Sequence, residues 1–222
     1  MNVLNIIAGL ENGGAESILY NLILKDKKNK HIIVSLYGKG HYGNKILSNN
    51  VKLYLLNLDQ DSFLIKSLIK LYVIIKNEKP DLVQTWLYKA DLIGGIISKI
   101  AGVKKIIWGL HHSNTLIKKI SIKHKFYYYI LGFLSNFIPT MIISCSNSGK
   151  KFHEYFGYNK NKINVVFNGY DTDFFSPSII HRNTFRKKIN IKDNQILIGM
   201  VARWNQFKDF QTLFIAFRDV KK

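Results

Sequence analysis

Short apolar runs alternate with segments of helical period along most of this chain. Residues 3–8 form an apolar run long enough for a buried strand, and the glycine-rich segment 9–14 follows it directly. In residues 15–24 the apolar positions recur at i and i+4, which is the spacing of one helix face. The chain is therefore predicted to begin with a strand, a glycine-rich turn and a helix.

The same alternation continues as far as residue 167. It predicts further strands at residues 31–37, 51–56, 82–86, 105–110, 140–145 and 163–167. It also predicts helices at residues 63–75, 88–101, 121–138 and 147–156. Strands that alternate with helices in this rhythm form a parallel sheet with helices on both faces. The pattern therefore predicts an α/β fold with a Rossmann-like sheet.

A turn-rich passage marks a domain boundary after this region. Residues 168–178 contain an Asn-Gly pair, two aspartates and a proline, which are typical of turns. Beyond them the pattern predicts a short helix at 185–189, a strand at 195–202 and an apolar helix at 210–217. We therefore expect a first domain, an interdomain linker and the first βα unit of an incomplete second domain, at residues 1–168, 169–194 and 195–222.

The composition is that of an ordinary globular protein. Hydrophobic residues make up 47% of the chain and charged residues 21%, and the single cysteine, Cys145, excludes a disulfide framework. Cys145 follows an apolar run, which favours a buried structural thiol. We find no signal-peptide pattern and no apolar stretch near the ~20 residues that a transmembrane helix needs. We therefore expect a cytoplasmic location, or one on the inner face of the cytoplasmic membrane.

The charge is strongly positive and unevenly distributed. Lysine and arginine number 33 against 14 acidic residues, which gives a formal net charge of +19, and no acidic residue occurs between Leu92 and His153. Such a surface attracts nucleic acid, anionic lipid headgroups or phosphorylated substrates. A solvated lysine-rich surface is the alternative. Because the sequence lacks a zinc pattern, an RNP-type strand and a helix-turn-helix, we expect no nucleic-acid partner.

Residues 117–138 mix lysines with aromatic and aliphatic residues. That mixture is typical of segments at a membrane surface, where rings and lysine stems contact apolar matter while their polar tips stay in water. A core helix with a basic exposed face explains the composition equally well. Peripheral contact with an anionic membrane is therefore one of two interpretations of this segment.

The first glycine-rich turn suits an anionic ligand. Glycines let the backbone approach a ligand closely, and a helix start offers unpaired N–H groups. Packing alone explains such glycines about as often. The spacing of Gly9, Gly13 and Gly14 is not G-x-G-x-x-G, and the second strand is followed by Gly38 and Lys39 instead of an acid. A nicotinamide cofactor is therefore disfavoured.

Four segments carry a resemblance to a known family, at residues 9–16, 108–114, 166–177 and 201–209. In order and spacing they resemble the glycine-rich loop, the strand-end histidine segment, the interdomain stretch and the start of the nucleotide-binding domain of the family 4 (GT4) glycosyltransferases, which have the GT-B fold of two Rossmann-like domains. The resemblance implies a GT-B fold, of which this chain holds the first domain and the start of the second.

The resemblance implies that Arg203 and Lys208 bind the diphosphate of a nucleotide-sugar donor. Transfer from such a donor leaves negative charge on the departing diphosphate, and cations placed there stabilise it as the bond breaks. The family does this without an essential metal, so we expect neither a metal nor a cofactor besides the donor substrate. An exposed pair of cations without a ligand is the alternative for these two residues.

The resemblance also implies roles for residues near the strand ends. Gly13 and Gly14 would approach the donor phosphates or the acceptor through their backbone N–H groups. His111 would bind substrate near the donor sugar or phosphate and is the catalytic candidate. His112 and Asn12 would lie in the acceptor or substrate cleft. A purely structural histidine is the alternative for His111.

These implied roles describe a retaining glycosyltransferase of polysaccharide or glycolipid biosynthesis, which moves a sugar from a nucleotide-sugar donor to a saccharide or lipid-linked acceptor. The family carries two glutamates seven residues apart late in its second domain, and this chain ends before that region. A truncated, inactive remnant is therefore the second hypothesis. A basic nucleic-acid-binding protein is the third, and it rests on charge alone.

Overall fold

The structure is a computed structural model of the 222-residue chain, and it describes residues 1–58, 64–111, 120–202, 204 and 208–220. The residue contacts divide the chain into two units, Met1–Gly169 and Tyr170–Lys222. The first unit holds a parallel sheet with its helices, and the described part of the second holds two helices.

The first unit is a seven-stranded sheet with helices between its strands. Its strands are β1 (Asn2–Ile7), β2 (Lys30–Ser35), β3 (Lys52–Leu55), β4 (Leu82–Trp86), β5 (Ile106–Leu110), β6 (Met141–Ser144) and β7 (Ile163–Val165). Its helices are α1 (Gly14–Lys25), α2 (Gly40–Leu47), α3 (Leu64–Glu78), α4 (Tyr88–Ile100), α5 (Ile122–Leu134) and α6 (Asn147–Tyr155). The strand order is β3-β2-β1-β4-β5-β6-β7, and every pair is parallel. This confirms the predicted α/β Rossmann-like sheet.

Strand β1 sends alternate side chains into two separate parts of the core. Leu4 and Ile6 pack with Leu71 of α3 in one buried cluster, and Ile7 packs with Leu19 of α1 in another. All five side chains are fully shielded from solvent. Burying each contributes about 1.5–3 kcal/mol. The apolar run at residues 3–8 therefore reflects a strand that is covered on both faces.

Helix α4 packs against the sheet through two adjacent glycines, which have no side chains to hold it away. A Cβ added to Gly94 would lie 3.0 Å from Cγ2 of Ile6, and one added to Gly95 would lie 2.7 Å from Nε1 of Trp108. Side chains at these two positions would push the helix outward. The close approach fixes the start of α4 relative to the ends of β4 and β5.

Helix α2 was not predicted from the sequence. Gly40 and Gly43 each disfavour a helix by about 1 kcal/mol relative to alanine, so the local signal is weak. The helix forms because Ile46 is buried in the same cluster as Ile7. Tertiary packing therefore overrides the low helix propensity of this segment.

The second unit lacks a strand that the sequence predicts. Residues 195–202, predicted as a strand, have no regular secondary structure, and Ile196 and Val201 are exposed. The prediction was wrong because a strand needs a neighbour to pair with its N–H and C=O groups. The described residues of this unit contain no strand that could pair with this segment.

Two helices make up the regular structure described in the second unit, α7 (Ile179–Lys188) and α8 (Phe210–Val220). Helix α7 begins earlier than the predicted 185–189 because Ser178 caps it. The Ser178 side chain accepts a hydrogen bond from the backbone N–H of His181. Such a cap satisfies one of the unpaired N–H groups at a helix start.

Candidate functional site at the carboxyl edge of the sheet

The sheet has a topological switch point between β1 and β4. Strands β2 and β3 lie on one side of β1, and strands β5 to β7 lie beyond β4. In open parallel sheets, ligands bind outside the carboxyl ends of the strands where the strand order reverses in this way. The loops after Ile7, Trp86 and Leu110 therefore form the candidate site.

The glycine-rich loop after β1 is held by the loop that leads into α2. Gly40 adopts a positive φ of 51°, and a Cβ there would lie 2.3 Å from the carbonyl carbon and oxygen of Leu10. The backbone N–H of Tyr42 also donates to the Leu10 carbonyl at 2.8 Å. The two loops thus touch through their backbones, and only glycine fits at the contact.

Gly13 and Gly14 lie at the start of α1, as predicted, but an acidic side chain lies beside them. Gly13 is the N-cap residue, and α1 begins at Gly14. The Glu16 carboxylate folds back so far that a Cβ on Gly13 would lie 2.2 Å from its Oε2. A carboxylate at a helix start is favoured by the helix dipole. A donor phosphate at Gly13 would therefore have to share this position with Glu16 or displace it.

His111 follows β5 directly, and its ring stacks on Trp86. The ring centres are 4.9 Å apart and the planes are 12° from parallel. The Nδ1 atom is buried and has no hydrogen-bond partner among the described residues. Burial lowers the pKa of His111 to about 4, so the ring is neutral at pH 7. A neutral imidazole offers one N–H donor and one acceptor, and it does not supply a cation for a phosphate.

Trp86 belongs to a chain of buried polar groups that the sequence analysis missed. Its indole N–H donates to Oδ1 of Asn5 at 3.2 Å, and the Asn5 amide lies 3.2 Å from Nδ1 of His31. Nε2 of His31 lies 3.1 Å from Oδ2 of Asp26. Because Asn5 accepts from Trp86 through oxygen, its NH₂ group donates to Nδ1 of His31. Nε2 of His31 then carries the proton and donates to Asp26.

Asp26 is the last member of this series of hydrogen-bonded side chains, and it accepts as a carboxylate. The hydrogen bond from the Asn29 side chain is the largest cause that lowers the pKa of Asp26 to about 2, and the contact with His31 acts in the same direction. The signal in the sequence was present but weak. Asn5 and His31 are polar residues within apolar strand segments, which indicates that each has a buried partner.

The joint between β4 and α4 is strained. Leu87 has φ 73° and ψ 153°, a region that non-glycine residues rarely adopt. Such a conformation costs about 1–3 kcal/mol and persists where surrounding contacts impose it. Here the Leu87 N–H donates to the Gly109 carbonyl at 3.3 Å, and its carbonyl accepts from the N–H of Asp91 at 3.0 Å. This strained residue lies at the switch point, between Trp86 and the first turn of α4.

Of the four remaining predicted site residues, the structure describes only Asn12 and Lys208. Asn12 is exposed on the glycine-rich loop. Lys208 is exposed and lies just before α8 in the second unit. Arg203 and His112 lie outside the described residues. The structure therefore brings Gly13, Gly14 and His111 to one edge of the sheet, and the roles predicted for all of these residues stay predictions.

One cation at this edge was not predicted. Lys89, in the first turn of α4, has its Nζ 4.7 Å from the centre of the Tyr37 ring, which follows β2. A lysine over an aromatic face gains about 0.5–1 kcal/mol at an exposed site. The contact adds a positive charge to the switch point.

Comparisons with known proteins agree with this architecture. A family model described as Glycosyltransferase Family 4 matches residues 12–174. The chain is 31% identical over 146 residues to an Escherichia coli protein named UDP-Gal:alpha-D-GlcNAc-diphosphoundecaprenol alpha-1,3-galactosyltransferase, and the match covers 64% of this chain and 37% of that protein.

Two solved structures have a similar fold. Anabaena Alr3699/HepE in complex with UDP has a TM-score of 0.82 at 18% identity, covering 98% of this chain and 57% of that one. A glycosyltransferase from Rickettsia africae has a TM-score of 0.74 at 19% identity, covering 99% of this chain and 57% of that one. The chain thus spans little more than half of these structures, and at such identities the likeness shows the GT-B fold alone. The family model, however, covers well over half of the chain. The chain belongs to glycosyltransferase family 4.

Proposed function

We propose that this protein acts in retaining transfer of a sugar from a UDP-sugar to a saccharide or lipid-linked acceptor. The match of residues 12–174 to the family model carries the proposal, because that range contains Gly13, Gly14 and His111 at the edge of the sheet. The Anabaena neighbour was solved with UDP and with UDP-glucose, which supports a UDP-sugar donor. The name of the Escherichia coli relative supports an acceptor linked to a lipid diphosphate.

The chemistry of the described site suggests a division of roles. The ring of His111 is neutral at pH 7, so it suits hydrogen bonding to an uncharged sugar hydroxyl. The negative charge that develops on the departing diphosphate needs cations. We assign that role to Arg203 and Lys208, with the backbone N–H groups of Gly13 and Gly14 as further donors. His112 and Asn12 are assigned to the acceptor cleft, and we expect no metal.

Donor binding tests the assignment of the two cations. We would titrate the 222-residue chain with UDP-glucose in a calorimeter and compare Arg203→Ala and Lys208→Ala with the wild type. Each substitution should weaken binding about tenfold or more, since a hydrogen bond to a charged group contributes about 1.5–3 kcal/mol. Lys187→Ala, an exposed lysine change on α7, is the matched control and should bind as the wild type does. Equal affinity in all four proteins would remove the diphosphate assignment. Absence of any binding by the wild type would favour the inactive remnant.

We also propose that residues 117–138 contact an anionic membrane, on the inner face of the cytoplasmic membrane. None of the helices in the described part of the chain combines the length and hydropathy needed to span a bilayer. Helix α5 nevertheless exposes a line of apolar side chains, with Ile122 at 83%, Phe126 at 68% and Phe133 at 65%. Lys123 and Lys125 lie on the same helix. Exposed aromatic residues beside lysines are typical of segments that lie in a membrane interface.

Vesicle sedimentation tests this contact. The wild type should pellet with phosphatidylglycerol vesicles and much less with phosphatidylcholine vesicles. The double variant Phe126→Ser, Phe133→Ser should lose most of this binding, because both rings leave the interface. Phe167→Ser, a ring of similar exposure (67%) outside α5, is the control. Unchanged pelleting of the double variant would contradict the proposed contact.

A further inference from the structure

The imidazole of His111 lies in a slot formed by two residues. Trp86 covers one face of the ring, at 4.9 Å between centres and 12° between planes. Gly109 lies beside it without a side chain, since a Cβ there would lie 3.3 Å from Nε2 and 3.6 Å from Cδ2 of His111, and 2.9 Å from the carbonyl oxygen of Thr85 on β4. Trp86 and Gly109 are directly opposite each other in the pairing of β4 with β5. The slot is thus set by the register of two adjacent strands.

The indole ring of Trp86 is itself held in place by hydrogen bonds. Trp86 is only 2% exposed, and its N–H donates to Asn5 on the neighbouring strand β1. Asn5 in turn is held by His31 on β2. The orientation of the indole is therefore determined by buried side chains of the neighbouring strands β1 and β2.

A histidine in a reactive site is usually oriented by a hydrogen bond to one of its ring nitrogens. His111 has no such bond at Nδ1 among the described residues. We propose that Trp86 and Gly109 are the positioning residues for His111, and that they orient its ring by stacking and shape. This inference rests on the proposed function, in which His111 contacts the sugar donor. In this arrangement the ring is held without a protein hydrogen bond to Nδ1, which is buried.

Ring resonances test the positioning without any need for activity. We would record side-chain ¹H–¹⁵N spectra of the 222-residue chain and identify His111 by comparison with His111→Gln. A stacked indole shifts the protons of the covered imidazole upfield. Trp86→Leu should abolish that shift and Trp86→Phe should keep most of it, because phenylalanine retains an aromatic face. Gly109→Ala should also move the His111 signals, because its Cβ would lie 2.9 Å from the Thr85 carbonyl oxygen and 3.3 Å from Nε2 of His111, so the strand or the imidazole must shift.

Trp108→Phe provides the control for a general loss of packing. Trp108 lies on the same strand as Gly109 but packs against Gly95 of α4, on the other side of the sheet. It should leave the His111 signals in place. If Trp86→Leu and Gly109→Ala also leave them in place, the positioning role is refuted.

Sugar transfer tests whether the positioning matters for the reaction. Trp86→Leu should lower kcat about 100-fold, the effect expected when a reacting group is misplaced by about 1 Å, with little change in KM for the UDP-sugar. The double variant Trp86→Leu, His111→Ala should lose no more than His111→Ala alone, since Trp86 acts through His111. Trp86→Phe should recover most of the activity. Additive losses, or full activity of Trp86→Leu, would overturn the inference. If the wild type transfers no sugar, the proposed function fails, and the resonance comparison still decides whether the two residues hold the ring.

Discussion

The contact between the two loops at the candidate site gives a sharp prediction about Gly40. Gly40 has a φ of 51°, and a Cβ there would lie 2.3 Å from the carbonyl carbon and oxygen of Leu10 and 2.6 Å from the backbone nitrogen of Glu11. These are backbone atoms, so no side chain can rotate away to relieve the overlap. Gly40→Ala must therefore move one of the two loops.

The size of the effect can be worked out from the geometry. An alanine in the left-handed region costs about 1–2 kcal/mol, and overpacking of a close contact costs about 1–3 kcal/mol. Replacing glycine also lowers the entropy of the unfolded chain, which returns about 0.4–1 kcal/mol. We expect Gly40→Ala to lower the free energy of unfolding by about 2–4 kcal/mol. With a urea m-value of about 2 kcal/mol/M, the midpoint should fall by about 1–2 M.

Gly38→Ala is the matched control for this measurement. Gly38 lies in the same loop, does not have a positive φ, and would have no atom within 4 Å of an added Cβ. Its urea midpoint, followed by circular dichroism, should equal or slightly exceed that of the wild type. If Gly40→Ala unfolds at the same urea concentration as Gly38→Ala, the argument that glycine is needed to join the loops is wrong.

Three further predictions concern stability, and urea unfolding measures each of them. Gly132→Ala places a Cβ 2.1 Å from the Phe156 carbonyl oxygen and should destabilise the chain by about 1–3 kcal/mol, whereas Gly169→Ala, with no atom near its Cβ, should not. Ser146→Ala removes the hydrogen bond that the Gly149 N–H donates to the cap of α6 at 2.9 Å and should cost about 1 kcal/mol; no loss would show that the cap is dispensable. Burial raises the pKa of Asp91 well above its usual value. The Asp91 carboxyl therefore stays protonated in the folded chain at pH values where it is ionised in the unfolded chain, and its contribution to the free energy of unfolding falls as pH rises. Asp91→Asn should therefore gain stability over the wild type between pH 4 and pH 7, and a constant difference across that range would contradict the cause assigned to the shift.

Much of the first unit could be predicted from the sequence, because buried parallel strands leave a strong local pattern. The apolar run at residues 3–8 became β1, and the prediction that His111 follows a buried strand is confirmed by β5. The prediction of a strand at residues 195–202 was wrong for a related reason. Its apolar pattern is equally strong, but a strand also needs a partner, and the pattern does not contain one.

The arrangement around His111 could not be predicted in the same way. The stack on Trp86 depends on the register of β4 and β5, which brings residues 86 and 109 together across many intervening positions. The strained backbone of Leu87 follows from hydrogen bonds at both of its ends, not from its own residue type. Sequence patterns predict which residues reach the edge of the sheet, but the orientation of each side chain there depends on contacts between strands.

Transfer of radiolabelled sugar from UDP-glucose or UDP-galactose into a lipid extract, with the wild type and His111→Ala compared side by side, tests the proposed function most directly. We expect incorporation by the wild type and a loss of about 100-fold in His111→Ala, as expected when a group that orients the substrate is removed. Equal incorporation by the two proteins would contradict the assignment of His111 to the site. No incorporation by the wild type with either donor would contradict the proposed transfer.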